Sequence, residues 1–516
     1  MAADVIIHEQ PFVLVASLIK NTKYQTLEIR KRQVSSCCML DDYLPCDEPH
    51  EIRTDYGGSF MATNPLGTES IPKLILRFSI PAIISMVVNA IYNMVDQIFI
   101  GWGIGMLGIA ATNVAFPLNT ISTSIALLVG IGGASNFSLN LGRGDEEKAR
   151  YCAGNAISLL VIFGVSLGLI SLIFLRPILT LCGATEQVMP YAVPYTMIIC
   201  IGIPFMVFTI GACHLIRADG APTYAMWCML SGAIFNLIFD PVFLFVFDMG
   251  IEGIALATTL GQVLSGGIGA FYLLRRFRTT KITKPYLIPR FNITTIIFSL
   301  GVSAFVNQIA MTIVQIMLNN AFKNYGAMSP YGSEIPLAAV GALSKVAILF
   351  FGICIGIAQG CQPIHGFNYG AKYYDRVQQT LRIGVIAATC ISILSFLVIQ
   401  IFPKQIIAIF GENDPLYIEF GMRVFRIQFF MMAINGIQPV ASNFFASIGK
   451  PKIGMFTSLT RQVIFFIPLV LILPMIWGID GVLFAAPIAD GAAAITAILF
   501  LLRENRLIEQ LKVSHA

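Results

Sequence analysis

The chain has 516 residues, of which 56% are hydrophobic and 12% charged, with a formal net charge of +5. Soluble domains carry roughly 25% charged residues, so a water-soluble fold of this length is excluded. Continuous apolar runs of about 20 residues recur, each enough to cross a bilayer core of about 30 Å; this predicts a polytopic helical membrane protein and excludes a closed barrel, which needs alternating runs.

The first 60 residues differ from the rest: they are polar, hold six Lys/Arg, and contain Cys37, Cys38, Cys46 and His50. The adjacent cysteine pair and the gap to Cys46 match no standard zinc spacing, so no metal site is expected there. Phe12 to Ile19 is too short to span, and no cleavable signal follows it. Residues 1–66 are read as a poorly ordered extension, with Met61-Ala62-Thr63-Asn64-Pro65 as an alternative translation start.

Twelve spans are predicted after it, over 72–100, 108–140, 150–175, 185–214, 222–247, 251–275, 292–320, 337–368, 377–402, 414–445, 453–476 and 480–502. Breakers and charges mark the joins, as in Gly142-Arg143-Gly144-Asp145 and Gly449-Lys450-Pro451. With both termini cytoplasmic, the inside loops and ends hold 20 Lys/Arg from Lys73 onward, and the outside ones hold Arg176, Lys323 and Lys404. That asymmetry follows the positive-inside rule. The net charge therefore reports topology and needs no nucleic-acid partner. The most basic inside stretch, from Arg275-Arg276-Phe277-Arg278 through Lys281, Lys284 and Arg290, joins spans six and seven.

In span one, Asp96 sits among apolar neighbours with Tyr92 and Asn93 one turn before it, and Pro81 lies early in the same run. In span five, Asn236 and Asp240 are four apart, hence on one helix face, and Pro241 follows. Ionisable groups at this depth are costly and usually face a bundle interior, where they bind ions, protons or substrate; the alternative is structural glue between helices. Each proline removes a backbone donor and frees a carbonyl, locally loosening its helix.

The chain also repeats itself. Asn140-Leu141-Gly142 returns as Asn368-Tyr369-Gly370, Glu147-Lys148 as Asp375-Arg376, and Gly250-Ile251-Glu252-Gly253 as Gly478-Ile479-Asp480-Gly481, all shifted by 228 residues. Gly220-Ala221-Pro222 returns as Gly449-Lys450-Pro451, shifted by 229. Each copy holds an even number of spans, so the fold class is all-α, with twelve transmembrane helices in two parallel six-helix pseudo-symmetric lobes. The expected division is an N-terminal lobe at 67–280, a basic cytoplasmic linker at 281–291, a C-terminal lobe at 292–503 and a cytoplasmic tail at 504–516. Such halves usually enclose a cavity that opens alternately to either side, which is a transporter architecture. No G-x-x-x-x-G-K-[ST] phosphate loop is present, so transport would run on an ion gradient. A carboxylate in a low-dielectric pocket can take up a proton near neutral pH, and its oxygens also suit Na⁺.

These residues resemble the multidrug and toxic compound extrusion (MATE) transporters over roughly 67–503. The specific marks are Pro81 with Val95-Asp96, Asn236-x-x-x-Asp240-Pro241, Gly253-x-Ala255-x-Ala257-Thr258 and Asn140-Leu141-Gly142. Asn64-Pro65-Leu66-Gly67 and Gln362-Pro363-Ile364 to Asn368-Tyr369-Gly370 are similar to its bacterial multidrug exporters. The resemblance implies antiport, H⁺ or Na⁺ inward against bulky amphipathic, often cationic, drugs outward. It maps the cation site onto Asp96, Asn236, Asp240, Thr258 and Tyr92, with Na⁺ an option at Asp96, Asn236 and Asp240, and the bend of span one onto Pro81.

The C-terminal half departs from members with a second acidic site. Spans seven and ten offer the amides Asn307, Gln308, Gln315, Gln428, Asn435 and Gln438 in place of such a site, while Lys345, Arg426 and Arg461 lie within spans and Arg423 near the outer half of span ten. Two readings of these cations stay open: a gate that pairs with a carboxylate during the cycle, or snorkelling and pairing with Asp490. Candidates for the substrate cavity or a gate are Asn113, Gln308, Lys345, Gln359 and Arg426. Abundant Phe and Met suit promiscuous binding. The expectation is a non-enzymatic multidrug efflux carrier of the bacterial cell (inner) membrane, acting as a monomer, with H⁺ or Na⁺ as coupling ion and no other cofactor. Its partners would be small drugs or toxic organic cations and the bilayer, with no nucleic acid. The alternative is a flippase for lipid-linked saccharides, or an exporter of an endogenous metabolite, on a related two-lobed fold.

Overall fold

The structure, a computed structural model, describes residues 64–277, 283–332, 334–408 and 415–515. The expectations for the first 60 residues, including the cysteine group and Met61, lie outside them. Among the described residues all regular structure is helical. In hydrocarbon an apolar run can satisfy its backbone only within itself, and the helix does that.

Among the described residues, eleven helices are long and apolar enough to cross a membrane. Spans one to four are Ile71–Gly103, Met106–Gly142, Glu146–Ile173 and Met189–Ala218. Spans five and six run Pro222–Val246 and Gly250–Arg276. Spans seven to nine are Phe291–Ala327, Glu334–Gly370 and Tyr374–Ile401, and eleven is Pro451–Trp477. The last helix, Ile479–His515, runs on through the stretch expected to be a separate tail.

The tenth expected span, 414–445, is not one helix. It is divided into Pro415–Gln428, Met432–Asn435 and Ile437–Ser447. Around the first break the backbone closes three-residue turns, with Phe430 N–H donating to the Ile427 carbonyl and Met432 N–H to that of Phe429. Beyond it, Pro439 has no N–H to continue the ladder from Asn435. Apolar composition alone does not reveal such an interruption.

The duplication is visible in the backbone at the joins. Gly220 and its repeat partner Gly449 have φ of 85° and 82°, and Gly250 and Gly478 have 59° and 58°. Gly144 at 78° is matched 228 residues later by Lys372 at 61°. Three turns thus keep a left-handed residue in both copies, even where the second copy has lost its glycine.

The two halves meet at the end of the bundle that carries the basic residues, through close backbone crossings. A Cβ on Gly132 would overlap the Ile297 carbonyl, and one on Gly301 the Leu128 carbonyl, so spans two and seven need glycine there. Gly142 and Gly370 bring spans two and eight together in the same way. Gly352, Gly356 and Gly360 of span eight, spaced by four, receive Met86, Ile83 and Ser79 of span one. Packing of this kind, rather than hydrophobic burial, holds helices together in lipid.

Each half also holds the lead-in of the other's first helix. The carbonyls of Leu66 and Glu69, just before and at the entry to span one, accept from Arg376, at 3.0 and 2.7 Å, and Leu66 also accepts from Asn368. Before span seven, the carbonyls of Tyr286 and Ile288 accept from Asn155, and Arg290 stacks on Tyr151 at 3.6 Å while donating to its hydroxyl. Among the described residues, the side-chain hydrogen bonds that join the halves all lie at this basic end. At the opposite end of span eight, nothing lies within 4 Å of a Cβ on Gly341.

Candidate functional site

Spans one and five pack side by side within the N-terminal half and bring the two aspartates together. Asp240 is 1% exposed and Asn236 3%. The helical spacing of four lets Asn236 Nδ2 donate to Asp240 Oδ1 at 2.9 Å and, across to span six, to Thr258 Oγ1 at 3.0 Å. The carboxyl of Asp96 lies within hydrogen-bonding reach of that of Asp240, with Tyr92 beside both. The five residues Tyr92, Asp96, Asn236, Asp240 and Thr258 therefore form one cluster.

Three members of this neighbourhood were not identified from sequence. Tyr195, 6% exposed on span four, lies close enough to Tyr92, Asp96 and Asp240 to feel their charge. Gln97 Nε2 donates to Asp96 Oδ2 at 3.5 Å, and Thr112 of span two donates to Gln97 Oε1 at 3.4 Å. A buried tyrosine in an otherwise apolar span was the available signal for Tyr195; Gln97 and Thr112 left none.

The cluster is incompletely satisfied. Asp96 Oδ1 and Asp240 Oδ2 are buried and have no hydrogen-bond partner. Among the described residues neither aspartate forms an ion pair. Two carboxyls this close repel one another when both are ionised.

The helices around the pair are irregular. Pro81 is buried inside span one, where Ser85 Oγ donates to its carbonyl at 2.9 Å. It lies beside the Ser79 and Ile83 positions that receive the span-eight glycines. After Pro241, span five widens into a π-helical segment, Val242–Val246, as a helix does where a backbone donor is missing.

The C-terminal half handles its buried carboxylate differently. Arg461 Nε donates to Asp490 Oδ1 at 2.5 Å, and Asn435 Nδ2 donates to Asp490 Oδ2 at 2.8 Å. The Arg461 guanidinium also lies 4.9 Å from the centre of the Phe351 ring. Of the two readings of the in-span cations, pairing with Asp490 is the one the geometry supplies for Arg461. Arg423 instead pairs with Asp480 at 2.8 Å. Asp490 thus has a resident counter-charge where Asp96 and Asp240 have none.

The weaker candidates are dispersed. Asn113, Lys345 and Arg426 are exposed, and Gln308 is half-buried. Gln359 is 5% exposed with its Oε1 unpartnered. None of the five hydrogen-bonds to either aspartate.

Comparison with known proteins bears on the family and the fold. The MatE family model matches twice, over residues 81–242 and 303–472, once in each half. The chain is 25% identical over 447 residues to the multidrug export protein MepA of Staphylococcus saprophyticus, spanning 86% of this chain and 96% of that protein. MepA of Staphylococcus haemolyticus is 24% identical over 442 residues, spanning 85% and 95%. Among solved structures, an outward-facing MATE transporter of the MOP superfamily superposes with a TM-score of 0.79 at 23% identity, covering 89% of this chain and all of the other. A MATE structure in the straight conformation gives the same score and coverage.

Proposed function

The chain belongs to the MatE family and is a multi-pass membrane transporter, and from that premise we propose that it exports amphipathic drugs in exchange for H⁺ or Na⁺ taken up at Asp96 and Asp240. The observation that carries this is the carboxyl pair itself, buried, mutually close and with an oxygen of each unpartnered. Asn236 and Thr258 orient Asp240, Gln97 orients Asp96, and Tyr92 and Tyr195 wall the pair from lipid. A proton or cation entering there removes the repulsion between spans one and five, which lets span one change shape at Pro81.

Alternating access is supported by where the halves touch. Their crossings and polar contacts lie at the basic end, which the positive-inside rule places in the cytoplasm, with both termini on that side of the cell membrane. The arrangement is then closed inward and open outward, and one similar structure is described as outward-facing. The closed seam keeps Ser79 Oγ, Ser138 Oγ and Gln359 Oε1 buried without partners. Water would satisfy these groups when the seam opens, so the closed state is held without being locked. The resident Arg461 on Asp490 supports coupling through the N-terminal half alone.

Ethidium efflux in everted vesicles, driven first by a pH gradient and then by a sodium gradient, tests the reading and names the ion. Efflux driven by one of the two supports it; efflux indifferent to both removes ion exchange.

A further inference from the structure

At the basic end, spans one, five and six leave a lateral crevice of about 480 Å³ that takes no part in the carboxyl cluster. Its walls are Arg77, Arg276, the turn from Gly220 to Thr223, and Tyr224, Trp227 and Tyr272. We propose that this crevice binds the phosphate headgroup of an anionic phospholipid in the leaflet at the basic end.

Two guanidiniums from different helices converge on the crevice. Arg77 spends one N–H on Glu69 at 3.1 Å, which leaves further donors on its planar fork; Arg276 is exposed. Phosphate is an anion that such forks bind in bidentate fashion. Trp227, 54% exposed on the first turns of span five, and Tyr224, which donates to the Ile268 carbonyl, place amphipathic aromatic rings at headgroup depth. Of the acids near the wall, Glu69 is shared between Arg77 and Lys73, at 3.1 and 3.9 Å, and Asp219 is buried and accepts from the Tyr272 hydroxyl at 2.7 Å. Basic pockets between helices at this depth are headgroup sites, whereas a cationic drug would meet like charge. The site also touches the transport machinery: the Arg77 carbonyl is the one that Pro81 leaves without its helical donor. A lipid held on Arg77 would therefore brace span one just below its proline.

Three tryptophans are present in the chain, so Trp102→Phe with Trp477→Phe leaves Trp227 as sole reporter beside the crevice. The protein is reconstituted in bilayers of phosphatidylcholine doped with brominated phosphatidylglycerol or brominated phosphatidylcholine, and quenching of Trp227 is measured. The expected result is a preference of about tenfold for the anionic lipid, lost in Arg77→Gln/Arg276→Gln and kept in Arg77→Lys/Arg276→Lys. Equal quenching by the two lipids would overturn the proposal, as would an unchanged preference in the glutamine pair. Excess inorganic phosphate should leave the preference intact; if it abolishes the preference, the site takes free phosphate and the lipid assignment fails. Because the readout is binding, it stands or falls apart from drug transport.

Discussion

At the residue scale, the two aspartates of the first lobe and the one of the second are opposites. Asp490 is paired with Arg461 at 2.5 Å. Breaking that pair strands a largely buried carboxylate, so Arg461→Met should lower stability by about 3 kcal/mol, read as earlier thermal unfolding in detergent. Asp490→Asn placed on top should restore part of the loss. Asp96→Asn should behave in the reverse way, unfolding no earlier than the parent because it relieves a like-charge contact, yet cutting drug efflux by about 100-fold. A variant that both unfolds early and loses efflux would make Asp96 structural glue. The sequence made Asp96, Asn236 and Asp240 legible because a carboxylate in an apolar run stands out and a spacing of four fixes a shared face. Tyr195 was legible only as a polar ring in a mostly apolar span; its place near the aspartates depends on span four packing against span five, a tertiary fact.

At the element scale, the glycines divide by what faces them. Gly132 and Gly301 touch backbone across the seam, whereas Gly267 in span six has nothing within 4 Å. Gly132→Ala should therefore push spans two and seven apart at a cost of about 1–3 kcal/mol, while Gly267→Ala should leave stability and transport at the parental level. Spin labels placed at the basic end should report a wider separation in the first variant only. Arg376→Ala should act in the same direction through a different contact, since it removes the side-chain donor to the Glu69 carbonyl and one of the two to that of Leu66. It should raise the fraction of molecules open at that end, seen as faster labelling of a cysteine placed at Ser79; unchanged labelling would mean the clasp is incidental. Eleven of the spans could be read from apolar length. The break in the tenth was not predicted: it rests on turn bonding around Phe429, and Gly436 and Pro439 in the same run were its local signal.

At the scale of the whole molecule, the repeat predicted two parallel lobes, and the paired left-handed turns at Gly220 and Gly449 and at Gly250 and Gly478 carry the duplication into the backbone. What the repeat did not predict is the electrostatic inequality of the halves, in which Arg461 pairs with Asp490 while Asp96 and Asp240 have no such partner among the described residues. Exchange requires that the drug and the ion each weaken the other's binding, and such coupling is reciprocal at equilibrium. The direct measurement is therefore ion release from the purified protein on drug binding, with a pH indicator in weak buffer for protons and with labelled sodium for Na⁺. Ethidium should release about one proton or one sodium ion per molecule, and Asp96→Asn/Asp240→Asn should bind ethidium while releasing neither. Release undiminished in that double variant would contradict the account.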